Sequence, residues 1–136
     1  MARPSPDLVR GIPLFADLDD KSVARLADEF VERSFEPGQV IASEGQGGLI
    51  FFVVESGEGT FTVHGSEVGT LGPGDSFGEV ALVDKAARSA TVSAKTAMRC
   101  YALPIWSFRP FVMEHPDVAW KLLELLAERL RSAESR

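Results

Sequence analysis

Thr60-Phe61-Thr62-Val63-His64-Gly65-Ser66-Glu67-Val68-Gly69-Thr70-Leu71-Gly72-Pro73-Gly74-Asp75 is the stretch that decides the fold. Residues 60–63 alternate apolar and polar, Gly65-Ser66 supplies a turn, and residues 67–71 return as a second strand before Pro73-Gly74-Asp75 ends it. This predicts a tight β-hairpin followed by a turn. Just upstream, Leu49-Ile50-Phe51-Phe52-Val53-Val54 is uninterrupted apolar sequence, the mark of a strand buried on both faces. Downstream, residues 91–94 and 98–103 alternate again. Turn residues at Pro37-Gly38, Gly45, Gly47-Gly48 and Gly57 cut the region into short pieces. Many short strands joined by tight turns predict a barrel or jelly roll.

The flanks change period. After Asp19-Asp20, either of which suits a helix cap, Val23, Leu26, Ala27 and Phe30 recur at helical spacing. Beyond Ile105 the helical pattern returns with Trp106, Phe108, Phe111, Val112 and Met113. It restarts at Pro116 with Leu122, Leu123, Leu125, Leu126 and Leu130. The expected class is α+β, mainly β: an antiparallel β jelly-roll barrel flanked by an N-terminal helical segment and two C-terminal helices. Residues 1–7, with Pro4 and Pro6 and no apolar period, are expected to be a disordered tail, and residues 8–136 one domain.

Composition narrows the function. The 136 residues are 45% apolar, enough for one core. Twenty acidic against fourteen basic residues give a net charge of −6, which repels a phosphate backbone, so no nucleic-acid partner is expected. Cys100 stands alone, within an alternating apolar stretch that suits a buried thiol and a reducing cytoplasm. No run approaches the ~20 apolar residues of a membrane span, and no membrane partner is expected. His64 and His115 are the only histidines and form no zinc spacing. Neither a G-x-S-x-G elbow nor a G-x-x-x-x-G-K-[ST] loop occurs, so neither an enzyme nor a metal site is expected.

The chemistry concentrates in Phe77-Gly78-Glu79-Val80-Ala81-Leu82 and Arg88-Ser89-Ala90-Thr91. Gly78 allows close backbone approach, and the residues after it suit a short helix whose free N–H groups favour an anion. Arg88 offers a planar fork for a phosphate, and a Glu79 carboxylate accepts hydrogen bonds from hydroxyls. Together they suit a phosphate carrying a polyol.

These residues resemble the cassette of cyclic nucleotide-binding domains, as found in protein kinase A regulatory subunits, the catabolite activator protein family and cyclic nucleotide-gated channels. The ten-residue step from Gly78 to Arg88 matches. Gly11-Ile12-Pro13-Leu14-Phe15, Pro37-Gly38, Glu44-Gly45 and Leu71-Gly72-Pro73-Gly74-Asp75 fit the surrounding pattern. Ala87 stands where many members have proline, and Asp84-Lys85-Ala86 where a glycine is common, departures that bear on affinity more than on ligand class. The resemblance implies that Glu79 binds the ribose 2′-hydroxyl and Arg88 the cyclic phosphate. It also implies that Gly78 and the backbone near Ala81 and Leu82 line the phosphate pocket with Ser89 beside it. Val80 and Ala90 complete the candidate set. Phe61, Val68 and Phe77 alternate into the barrel, toward the base or simply into the core, and Arg129 or Arg131 is the candidate to cap the base by cation–π contact. The expected ligand is cAMP, with cGMP the other choice and no further cofactor. A second copy or an effector protein is the partner expected at the C-terminal helices. Two other readings are the sensor half of a transcription regulator and a ligand-free interaction domain presenting Trp106, Phe108, Phe111 and Trp120.

Overall fold

The computed structural model describes residues 3–43, 45, 50–78 and 90–134. Among these residues, eight strands form two four-stranded antiparallel sheets. The strands are β1 (Val31–Phe35), β2 (Val40–Ala42), β3 (Ile50–Ser56), β4 (Gly59–Val63), β5 (Ser66–Leu71), β6 (Ser76–Phe77), β7 (Thr91–Ala94) and β8 (Met98–Pro104). One sheet has the order β1-β8-β3-β6 and the other β2-β7-β4-β5. No strand pairing among the described residues joins the two, so the expected closed barrel is instead an open jelly-roll-like sandwich. The reason lies in the turns. At Pro37-Gly38, at Gly57 and at Pro73-Gly74 the chain crosses from one sheet to the other, and strands this short end before hydrogen bonding can wrap around the corner.

The apolar run in β3 now has its explanation. Phe52 and Val54 face the sandwich interior with Phe77, Leu71, Val92, Met98, Cys100 and Ala102. Phe51 and Val53 face the other way, into a second core shared with the helices. The strand β8 divides likewise, Cys100 and Ala102 inward and Tyr101 and Leu103 toward the helices. The first sheet is thus the middle of three layers and reads as apolar throughout, whereas β5 lies at a sheet edge and is largely exposed. Burial pushes the Cys100 thiol up to about 11, which keeps it protonated and unreactive at neutral pH.

Among the described residues four helices cover the outer face: α1 (Pro6–Arg10), α2 (Asp20–Ala27), α3 (Ile105–Glu114) and α4 (Pro116–Glu134), with a single-turn 3-10 helix at Pro13–Phe15. Phe15 is their common centre, in edge contact with Phe51 and Phe111 and tilted against Phe108. Helix α1 begins at Pro6, so Pro6 and Asp7 of the expected tail, residues 1–7, lie within a helix. Ser5 caps it by accepting a hydrogen bond from the Leu8 N–H, and Pro6 occupies the first turn, where its missing N–H costs nothing. Of the two aspartates offered for α2, Asp19 is the cap. It accepts from the Ser22 N–H at 2.8 Å, and that bond holds its carboxyl below the usual carboxylate range. Among the described residues no helix is long and apolar enough to cross a membrane.

Between α3 and α4 sits His115, whose ring stacks on Phe111 at 4.1 Å. Its Nδ1 lies 2.9 Å from the Phe111 carbonyl oxygen, which can only accept, so Nδ1 carries the proton and Nε2 is free to accept from the Ser22 hydroxyl at 3.0 Å. Arg25 pairs with Glu114 at 2.6 Å and holds that carboxyl below its usual range. Both ties run from α2 to the α3–α4 junction, so α2 anchors that junction.

A strict steric demand falls on Gly57, which turns the chain from β3 to β4 at φ 89°. A Cβ there would sit 2.2 Å from the Ala97 carbonyl oxygen and 2.9 Å from the Met98 Cα. Backbone cannot yield as a side chain tip can, and Glu58 is stitched to Lys95 and Thr96 on the same opposing turn. Gly57→Ala should therefore destabilise the protein by about 2 to 4 kcal/mol, read as a fall in the denaturant midpoint with an unchanged slope. A variant within ~0.5 kcal/mol of wild type would show that the two turns separate freely.

Candidate functional site

The described residues fix both ends of the segment singled out by its chemistry. At the first end, the turn Gly72-Pro73-Gly74-Asp75 is closed by the Asp75 N–H donating to the Gly72 carbonyl and by the Gly72 N–H donating to the Asp75 side chain at 2.8 Å. Val54 donates to the Asp75 carbonyl and accepts from the Gly74 N–H, both at 2.8 Å, which clamps the turn to β3. The two residues of β6 then pair with β3, Phe52 opposite Phe77 and Val53 opposite Ser76. Gly78 follows at φ 89°, in the left-handed region where a side chain is strained, and this is how the chain leaves the sheet edge.

At the other end, half-buried Ala90 leads into β7, an interior strand of the second sheet held between β2 and β4. The segment therefore spans from an edge strand of one sheet to an interior strand of the other. Beneath its first end lies an aromatic floor. Phe77 stacks on Phe52 with ring centroids 5.0 Å apart and planes 16° apart, and Phe61 meets Phe77 edge-on at 6.2 Å. Phe77 is buried, whereas Phe61 is half-buried at the margin of the same core.

The candidate residues divide accordingly. Phe77, Phe61, Gly78 and Ala90 are brought to the two ends of one segment and the floor beneath it. Glu79, Val80, Ala81, Leu82, Arg88 and Ser89 lie outside the described residues. Arg129 lies within α4, and its side chain is outside what is described. Val68 departs from the expectation that it turns inward with Phe61, for it is 62% exposed. Its strand pairs Phe61 with Gly69 and Thr62 with Glu67, so Val68 is the extra residue of a β-bulge and the alternation breaks there. The hairpin turn also sits one residue earlier than expected, at His64-Gly65, with His64 at φ 51°. Sequence reasoning missed Phe52 as the partner of Phe77. The signal was present in the period of two along β3, which puts Phe52 and Val54 on one face.

The C-terminal leucines do not form one stripe. Leu122 is buried, and Leu125 and Leu126 are partly buried against the helical core, but Leu123 and Leu130 are exposed on another face of α4. That helix packs on α3 and on the turn Pro13–Phe15.

Comparison with known proteins agrees with this geometry. A family model described as the cyclic nucleotide-binding domain matches residues 32–115, more than half of the chain and all of the segment between β6 and β7. Over 97 residues, 70% of this chain, the sequence is 40% identical to a cAMP-dependent protein kinase regulatory subunit of Yarrowia lipolytica, covering 26% of that protein. The chain spans about a quarter of the length of such relatives. The N-terminal domain of a transcriptional regulator from Streptomyces coelicolor A3(2) superposes with a TM-score of 0.82 at 31% identity, over 95% of this chain and 94% of that one. The regulatory domain of Toxoplasma gondii PKA, in co-crystal structure with cAMP, gives a TM-score of 0.72 at 32% identity, over 78% of this chain and 42% of the other. With the cassette residues at family spacing and the jelly-roll-like sheets that carry them, the chain belongs to the cyclic nucleotide-binding domain family.

Proposed function

We propose that this domain is a cAMP sensor in which the segment from Phe77 to Thr91 holds the nucleotide and α4 responds as a lid. The observation that carries the reading is the placement of the two ends of that segment. Gly78 leaves a sheet edge at a conformation suited to close backbone approach, and Ala90 enters the sheet of the other layer, so the two ends of the segment belong to different layers of the sandwich. Glu79 then takes the ribose 2′-hydroxyl and Arg88 the cyclic phosphate, each by a charge-assisted hydrogen bond. Relatives whose names or structures carry cAMP support that nucleotide over cGMP. The chemistry needs no metal and no covalent step, so the domain's output is a shift in conformational population. Calorimetric titration with cAMP, cGMP and AMP tests the site. Cyclic AMP should bind at least ~10-fold more tightly than AMP, because a pocket shaped for a ring phosphate pairs poorly with the second charge and free rotation of a linear one. Equal affinities would overturn the assignment.

The lid reading is supported by the apolar surface that α4 leaves uncovered at Leu123 and Leu130, and by the α3–α4 junction that α2 grips through Ser22 and Arg25. A ligand that binds better when α4 closes shifts the helix by no more than its differential affinity, ~1 to 3 kcal/mol in typical switches. Hydrogen exchange with and without saturating cAMP should show amides from Leu122 to Leu130 gaining protection along with residues 78–91. Protection confined to residues 78–91 would remove the lid while leaving nucleotide binding intact.

The nearly complete mutual coverage with a transcriptional regulator's N-terminal domain favours a second reading of the output, the sensor half of a transcription regulator. It concerns what the moving helix acts on and leaves the ligand site as described. A mobility-shift titration of the natural full-length protein tests whether cAMP alters its affinity for DNA; no change at any cAMP level would remove this output.

A further inference from the structure

The first turns of α4 and the residues just before α2 enclose a groove of about 410 Å³, distinct from the aromatic floor under Phe77. Its apolar base is Leu14, Leu18 and Val118, all buried within the helical core. Its wall is Trp120, which is 66% exposed although it is among the largest apolar side chains in the protein. Asp117 and Glu124 also line the groove, one turn before and one turn after Trp120 on the same helix face. Among the described residues neither has an ion-pair partner, whereas Asp17 on the opposite rim is paired with Lys121 at 3.5 Å. The lining therefore carries three carboxylates against one ammonium, in a chain whose net charge is already −6.

Charge and shape together select the occupant. An indole face flanked on both sides by carboxylates attracts a cation, and among cations a guanidinium fits best: it stacks flat on the ring while its edge donates in parallel to a carboxylate. The apolar base beside it calls for an aliphatic side chain next to the cation, so the occupant is a peptide rather than a free amine. A nucleic acid or an anionic membrane surface is repelled by the same carboxylates. The surface ion pair between Asp17 and Lys121 is weak enough to open at little cost, which frees a third carboxylate for the ligand. We propose that this groove docks an arginine-bearing peptide segment of a partner protein, its guanidinium lying on Trp120 between Asp117 and Glu124. Because Lys121 and Trp120 belong to α4 and Asp17 to the N-terminal segment, a docked peptide staples the helix to the body of the domain.

The test uses a fluorescein-labelled, end-capped decapeptide of alternating leucine and arginine, and the same peptide with citrulline at every arginine, titrated by anisotropy at low ionic strength. The arginine peptide should bind the wild-type chain at least roughly 10-fold more tightly than the citrulline peptide. Trp120→Ala should weaken arginine-peptide binding by roughly 3- to 30-fold, and so should Asp117→Asn combined with Glu124→Gln. The exposed location of all three side chains leaves the fold intact, which near-ultraviolet circular dichroism verifies. As a control, Glu36→Gln combined with Glu58→Gln removes two exposed carboxylates from the strand turns and should leave the affinity unchanged. An equal loss from the control pair would show diffuse charge attraction instead of a groove and would overturn the proposal. So would wild-type affinity in Trp120→Ala. Sedimentation without peptide supplies a further check, because self-association of the wild-type chain that Trp120→Ala abolishes would mean that a second copy covers the groove, which would overturn the proposal of a separate partner.

Discussion

Arg88→Ala is expected to weaken cAMP binding by roughly 30-fold to several thousand-fold, the effect of removing one partner of a buried charged contact, about 2 to 5 kcal/mol. Arginine at this position offers five donors in a fixed plane, and a cyclic phosphate presents two exocyclic oxygens that such a fork can take together. Nothing else in the described part of the site supplies a positive charge. The floor is Phe77, Phe52 and Phe61, and the ends of the segment are Gly78 and Ala90. Loss of the guanidinium would therefore remove the charged partner that the resemblance assigns to the phosphate. Arg88→Lys separates charge from geometry: lysine keeps the charge without the fork and should recover only part of the lost affinity. Calorimetry at fixed ionic strength reads both variants, and an unchanged dissociation constant for Arg88→Ala would sink the assignment.

Much of the architecture is legible in the sequence because local signals agree with the tertiary demand. Asp19 caps α2 where a capping residue precedes a helical stripe, and Pro116 opens α4. The unbroken apolar run of β3 announces a strand with a core on each side. What fails does so for identifiable reasons. Two prolines near the N-terminus look like disorder when counted, yet Ser5-Pro6-Asp7 is a cap, a first-turn proline and a first-turn acid, which together start a helix. Val68 is displaced by a bulge, and a one-residue slip in a strand sends a side chain to the other face. The leucines of α4 look like one stripe, although Leu123 and Leu130 lie roughly a quarter turn from Leu122. The turns at Pro37-Gly38, Gly57 and Pro73-Gly74 are visible in the sequence, but the same turns suit a closed barrel, so the crossings between sheets are not.

The site is legible in a different way. Its candidate residues resemble the family's cassette in their spacing, a glycine and an arginine suited to a phosphate and a carboxylate suited to a hydroxyl, but spacing carries no information about what lies beneath them. The groove at Trp120 has still less to announce it. Its lining comes from residues about a hundred positions apart, and although Trp120 stands out as an aromatic candidate for a contact, nothing in the sequence places it beside Asp17.

The aromatic floor gives the second large effect. Phe77 is 5% exposed, stacked on Phe52 and met edge-on by Phe61, so Phe77→Ala removes a ring from the inter-sheet core and leaves a cavity between Phe52 and Phe61. Truncations of this kind cost about 3 to 5 kcal/mol, a large share of the total stability of a domain this size. The position makes the consequence functional as well. Phe77 is the last residue of β6, a strand of two residues paired only with β3, and Gly78 follows it directly. With so few backbone hydrogen bonds in β6, the buried ring is the main anchor for the start of the ligand segment. Phe77→Leu distinguishes an anchor from a ligand contact, since leucine restores most of the buried volume but no aromatic face. Urea unfolding should show Phe77→Leu losing about 1 to 1.5 kcal/mol against the much larger loss for Phe77→Ala. If Phe77 acts as floor, cAMP affinity of folded Phe77→Leu stays within roughly 3-fold of wild type, because the segment still starts from the same place. A Phe77→Ala protein as stable as wild type would show that the stacked rings do not hold β6, and a loss of affinity in Phe77→Leu beyond that range would make the ring part of the nucleotide contact itself.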